Sequence, residues 1–208
     1  MDEHQFIIRP FQRGDEDAVY EVCLRTGAAG QDAAHLYADP KALGHIYVGP
    51  YMKLEPELAF VLVDAAGICG YALGALNSRR FHAAYVNEWL PEIRKTYPDP
   101  TGESANWTPT EWIHHQYHHA EVFLPDSLKD YPSHLHIDLL PHAQGRGNGT
   151  SMINRLLDSL VGRGSTGVHL AMAASNQRAE GFYRKFGFAE LARVGFGEQQ
   201  SIYFGRRL

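Results

Sequence analysis

The feature that most constrains this chain is the run Gln144-Gly145-Arg146-Gly147-Asn148-Gly149-Thr150, set between a strand-like and a helix-like segment. His134 to Leu140 reads as a strand that Pro141 stops. Beyond the glycines, Met152, Ile153, Leu156, Leu157, Leu160 and Val161 recur on one helical stripe, which Gly162 and Gly164 close. A glycine-rich turn at a helix start leaves backbone N–H groups free at the positive end of the helix dipole, an arrangement that suits a phosphate. A Walker loop begun at Gly145 needs glycine at 150 and lysine at 151, where this chain has Thr150 and Ser151. The dinucleotide fingerprint also needs glycine at 150. The bland alternative is a left-handed turn ahead of an ordinary helix.

The rest of the chain supplies the setting. Phe6 to Pro10 reads as a strand, and Asp15 as the cap of a helix that buries Ala18, Val19, Val22 and Cys23 and closes at Gly27. From Gly27 to Pro56 the pattern is irregular, with one short helix near Lys41 to Tyr47. Leu58 to Val63 and Ile68 to Leu76 form an antiparallel hairpin whose Gly67 supplies a positive φ. Phe81, Tyr85 and Trp89 recur on a helix that Pro91 interrupts or restarts. Thr108-Pro109-Thr110-Glu111 is a capping box that opens another helix. These helices make an insertion at about 78–132. The C-terminal third then reads as strand (167–173), helix (177–186) and two strands (188–194, 201–206).

The 208 residues suit one domain, and the net charge of -5 with scattered basic residues argues against a nucleic-acid surface. No apolar run is long enough to span a bilayer, and no targeting segment precedes the first strand, so the expected address is the cytoplasm. Cys23 and Cys69 fall in a helix and a strand, as buried thiols rather than a disulfide framework.

The loop matches Q-x-x-G-x-G, and Asn176 to Phe188 matches N-x-x-A-x-x-F-Y-x-x-x-G-F. With both motifs on the expected elements, the chain resembles the GCN5-related N-acetyltransferases. Arg25-Thr26-Gly27, Asp32, Gly44-His45-Ile46 and Gly67 to Gly74 extend the resemblance, over nearly the whole chain, to the acetyltransferase-like C-terminal domain of O-GlcNAcase and its free-standing bacterial relatives. Hydrolysis of O-GlcNAc is not implied. The resemblance implies an α/β fold of the GNAT type: a mixed, mostly antiparallel sheet flanked by helices, with central strands that splay into a V-shaped cleft. It implies acetyl-CoA as co-substrate and an amine as acceptor. Backbone groups of Ile137, Leu139 and Leu140 would hold the pantetheine amides. Gln144, Gly145, Arg146, Gly147, Asn148, Gly149 and Thr150 would form the pyrophosphate loop, and Asn176 would bind the pantetheine arm.

Transfer by direct attack needs an oxyanion donor, an acid and a base. The Leu139 N–H suits the first and Tyr183, whose phenol is protonated at neutral pH, the second. Some family members carry a glutamate on or beside the strand matching 167–173, but here that strand reads Gly-Val-His-Leu-Ala-Met-Ala. Asp138 is therefore the first candidate for the base, with a purely structural role as its rival. His134 and His136, on the same strand face, are the others. Asp32, His35, Tyr37 and Tyr47 are candidates for the acceptor pocket, with Trp89, Trp107 and Trp112, which buried aromatic core explains equally well. The pairs His114/His118 and His115/His119 have the i,i+4 spacing that can bind a metal, but with no third ligand beyond Glu111 or Glu121 the expectation is a solvated or substrate-facing helix and no metal. A catalytically inactive acetyl-CoA-binding or protein-interaction domain is the rival function.

Overall fold

A computed structural model of the chain describes residues 5–121, 124–197 and 200–208. The chain opens with β1 (Ile7–Pro10), α1 (Glu16–Thr26), α2 (Ala42–Tyr47), α3 (Gly49–Leu54) and the hairpin of β2 (Ala59–Asp64) and β3 (Gly67–Ala75). The helices α4 (Ser78–Ala84), α5 (Leu90–Arg94) and α6 (Pro109–His118) follow. The last part is β4 (Ser133–Leu139), α7 (Asn148–Gly162), β5 (Gly167–Ala173), α8 (Gln177–Lys185), β6 (Ala189–Val194) and β7 (Ser201–Arg207).

The seven strands form one sheet in the order β1-β2-β3-β4-β5-β7-β6, and every pair but β4–β5 is antiparallel. The β4–β5 register holds only two pairs, Ser133↔Val168 and His134↔His169. Beyond them the strands part, which is the splay expected of a GNAT fold.

Each face of the sheet carries its own core. On one, Met152, Ile153, Leu156, Leu157 and Leu160 of α7 are buried with Phe60, Leu62 and Ala72, while on the other Val19, Val22 and Cys23 of α1 are buried with Tyr71 and Leu73. The alternation along the second half of β3 explains this: Tyr71 and Leu73 face α1, and the small Ala72 and Gly74 leave room for α7. Gly74 shows how tight the fit is, because a Cβ there would lie 2.8 Å from Leu156 Cδ1.

Two local expectations differ from what is found. Asp15 makes no capping hydrogen bond to α1. Its carboxylate is taken by Arg9, at 2.6 and 2.9 Å, and by the Gln12 N–H. Val161 is 51% exposed, because it lies off the buried stripe in the last turn of α7. Pro91 restarts the helix, as expected: Tyr85–Trp89 forms a π-helical turn and α5 opens with Pro91 in its first turn, where a missing N–H is tolerated. The capping box of α6 is present in full. Among the described residues, no helix is long and apolar enough to cross a membrane.

Candidate active site

Leu140 donates its N–H to the Cys69 carbonyl at 2.8 Å, and Leu139 stands opposite Gly70. By the alternation of an antiparallel ladder, the backbone groups of Asp138 are then tied to Tyr71. Those of Ile137 and Leu139 point the other way, into the gap that β5 has left. The Leu139 carbonyl accepts from Gln144 Nε2 at 2.6 Å, so its N–H and both groups of Ile137 remain as an open strand edge. Leu140 departs from the expected set. Its N–H is held by Cys69 and its carbonyl accepts from Ala143, so its backbone is not available to a ligand.

This edge lines a cleft of about 430 Å³. Gln144, Gly145, Gly147, Gly149 and Thr150 form its glycine-loop side, with Asn176 and Tyr183 opposite. Gly147 (φ 81°) stands at the N-cap of α7 and, like Gly145 (φ 74°), adopts a left-handed conformation that L side chains resist. No side chain caps α7, so its first N–H groups are not claimed by a capping residue. Arg146 does not line the cleft. It is exposed, with its guanidinium 6.0 Å from the centroid of the Phe6 ring. Asn148 also lies outside the lining and steadies the turn instead, donating from Nδ2 to the Ala143 carbonyl at 2.9 Å.

Asn176 combines two roles. Its Oδ1 accepts the Ala179 N–H at 3.0 Å as the cap of α8, while its Nδ2 faces Gly30 across the cleft. Tyr183 is 7% exposed, and burial, reinforced by the nearby Asp138 charge, pushes its phenol above the ordinary range. It is therefore a weaker acid than the sequence implies.

Sequence reasoning missed four contributors. Ala29, Gly30 and Gln31 close one wall of the cleft, and the signal for them is conformational: Ala29 has φ 51°, unusual for a residue with a Cβ. Arg178 hydrogen-bonds to Gln144 Oε1 and brings a cation beside the glycine loop. Its position two residues after the cap of α8 is the available clue.

Asp138 lines the cleft and sits in a polar cluster. The Tyr71 hydroxyl donates to its Oδ2 at 2.6 Å, and His136 Nε2 lies 3.2 Å from that oxygen and 3.1 Å from the Tyr71 oxygen. Burial holds the Tyr71 phenol well above its usual range, and burial likewise pushes the Cys23 thiol up to about 12, so both stay protonated beneath the carboxylate. His134 is separated from this group. It is buried, bonded through Nδ1 to Ser78 Oγ at 2.8 Å, and held neutral by burial, so of the two histidines only His136 reaches Asp138.

Tyr47 stacks on His136, with ring centroids 5.9 Å apart, and lines a second cavity of about 500 Å³ with Tyr51, Phe81, His82 and Tyr85. The other acceptor candidates are elsewhere. Asp32 pairs with Arg25, Tyr37 packs in the α1 core, and Trp89 donates to the His45 carbonyl. Trp107 and Trp112 stack edge-on beside His115. Neither cavity has His35 in its lining.

An open strand edge beside a glycine-started helix in a splayed sheet defines a class of protein, and comparison with known proteins agrees with it. Residues 112–188 match the model of the acetyltransferase (GNAT) family. SsHAT, a solved structure, is 40% identical with a TM-score of 0.88, each chain covering 98% of the other. The chain belongs to the acetyltransferase (GNAT) family, the enzyme class that its two motifs imply. It is 29% identical to protein O-GlcNAcase of Rattus norvegicus over 98% of its own length, and it spans 22% of the length of that relative. The structure of yncA from Salmonella typhimurium, solved with its cofactor acetyl-CoA, shares the fold at a TM-score of 0.56 and 15% identity, over 98% of this chain and 94% of that one.

Proposed function

We propose that this protein transfers an acetyl group from acetyl-CoA to an amine acceptor by direct attack in a ternary complex. The observation that carries the reading is the open edge of β4 at Ile137 and Leu139, running from the N-terminus of α7 to the Tyr71–His136–Asp138 cluster. The amides of residues 145 to 150 and the Arg178 cation suit a diphosphate, and the unclaimed groups of Ile137 suit the amides of a pantetheine arm. Asn176 Nδ2 faces the same path.

The Leu139 N–H is the donor for the oxygen on which negative charge develops, and it is fixed in place by the strand at no reorganisation cost. Tyr183 holds a proton for the departing thiolate. Asp138 accepts the amine proton, with Tyr71 and His136 fixing its orientation. The acceptor enters from the side of Tyr47, which leads from the second cavity to His136.

A second reading rests on one observation: β5 carries no carboxylate, and Oδ2 of Asp138 is already engaged by Tyr71. On that reading the domain binds acetyl-CoA, or a protein partner, without transferring the group. Calorimetry with acetyl-CoA tests the binding common to the first reading and the acetyl-CoA-binding form of the second. A thiol-release assay across small amines, basic peptides and amino sugars then separates catalyst from binder. Binding without thiol release above background favours the second reading, and absence of binding removes the cofactor assignment.

A further inference from the structure

The histidines of α6 diverge in the structure, and one pair converges on a residue far from it in sequence. His118 Nε2 lies 2.8 Å from the Tyr97 carbonyl, and His114 Nε2 is 3.5 Å from Asp39. His115 and His119 instead flank one carboxylate: His115 Nδ1 is 3.0 Å from Asp99 Oδ1, and His119 Nε2 is 2.7 Å from Asp99 Oδ2. The two imidazoles stack with centroids 4.0 Å apart and planes inclined by 28°. Spacing along the helix puts the pair on one face, but the third donor comes from the segment between α5 and α6, which no periodicity reveals.

We propose that Asp99, His115 and His119 form a binding site for a divalent transition-metal ion, zinc(II) by the character of its donors. One ligand atom from each of the three lies within 4.8 Å of the others. Two nitrogens and a carboxylate oxygen are donors that zinc takes, and three protein ligands leave a fourth position for water. Ligand atoms about 2.1 Å from a tetrahedral ion stand about 3.4 Å apart, so the contacts of the two imidazoles with the Asp99 carboxylate, at 3.0 and 2.7 Å, need to open by less than about 1 Å. Each neutral imidazole keeps its one proton on the ring nitrogen that faces away from the ion.

One dication satisfies both nitrogens and the carboxylate together. His115 is held against Trp107, with centroids 4.8 Å apart, so one ligand is oriented before an ion arrives. The capping box at Thr108 and Glu111 fixes the start of the helix that carries His115. An ion here clips the segment around Asp99 to the end of α6. Because His119 also lines the second cavity, the ion stands at the rim of that cavity.

The other His/Cys/Asp trio among the described residues, Asp64, Cys69 and His142, is a poorer candidate. Its thiol is buried, is pushed up to about 12 by that burial, and would have to lose its proton to ligate.

The test is equilibrium dialysis of the full chain, stripped with chelator, against zinc chloride, with metal content and thermal melts as readouts. The expected result is one zinc per chain and a higher Tm with zinc. Asp99→Asn and His119→Gln should each weaken binding by at least about tenfold and remove the Tm rise. His142→Gln should leave both unchanged. The side chains of Asp99 and His119 are 39% and 53% exposed, so both variants should fold, which their melts without zinc verify. No retained zinc, equal retention in Asp99→Asn and His119→Gln, or loss of binding in His142→Gln would each overturn the assignment. The readouts do not depend on acetyl transfer, so this site and the proposed activity stand or fall separately.

Discussion

Tyr71 and Asp138 face each other on β3 and β4, and the phenol donates to the carboxylate at 2.6 Å. Tyr71 is fully buried, so its bond reaches Asp138 from inside the core while the carboxylate itself meets the cleft. A donor aimed at a carboxylate oxygen fixes its orientation. Tyr71→Phe should therefore slow transfer, with acetyl-CoA affinity kept. The lost bond to a charged group should cost stability of about 1–3 kcal/mol, read by denaturant melts. Turnover equal to wild type would remove Asp138 from the proton path.

Tyr183 is buried at the cleft wall and keeps its proton. Tyr183→Phe preserves the packing against Phe182 and Phe188 but has no proton to give. Turnover should fall by about a hundredfold or more with little change in the acetyl-CoA Kd. Equal loss in Kd and rate would make Tyr183 a binding residue only.

A side chain at Gly147 has space, since nothing lies within 4 Å of where its Cβ would stand, but the φ of 81° is costly for it. Gly147→Val should lose about 1–2 kcal/mol of stability and still fold. The anion cradle needs that conformation, so acetyl-CoA binding measured by calorimetry should be lost. Unchanged affinity would refute the placement of the diphosphate.

Burial holds His45 and His82 neutral, lowering each from the ordinary 6.5 to about 4, and His134 moves the same way. Between these values the unfolded chain takes up protons that the folded chain refuses. The stability from these imidazoles is thus complete above about 6.5 and is lost as pH falls toward 4. The Tm should drop through that window, and His82→Gln should flatten part of the slope. A Tm independent of pH there would mean that the imidazoles are solvated.

The order of strands and helices, the Thr108 cap, the glycine loop and the Asn176–Tyr183 spacing were all legible in the sequence. Each depends on interactions between residues a few positions apart, which a chain carries wherever it folds. Neither the commitment of Leu140 to Cys69, nor the exclusion of Arg146 from the cleft, nor the entry of Gly30 and Arg178 could be read that way. These follow from which strand lies beside β4, where β5 departs and how the loop after α1 meets the start of α8. The same holds for Asp99, the third donor that the spacing of His115 and His119 lacks, and for Tyr71 beneath Asp138, two residues 67 positions apart. Local pattern determines the elements and their exposed donors. Only long-range pairing decides which side chains meet, because that choice is made by the packing of a whole sheet and not by any one segment.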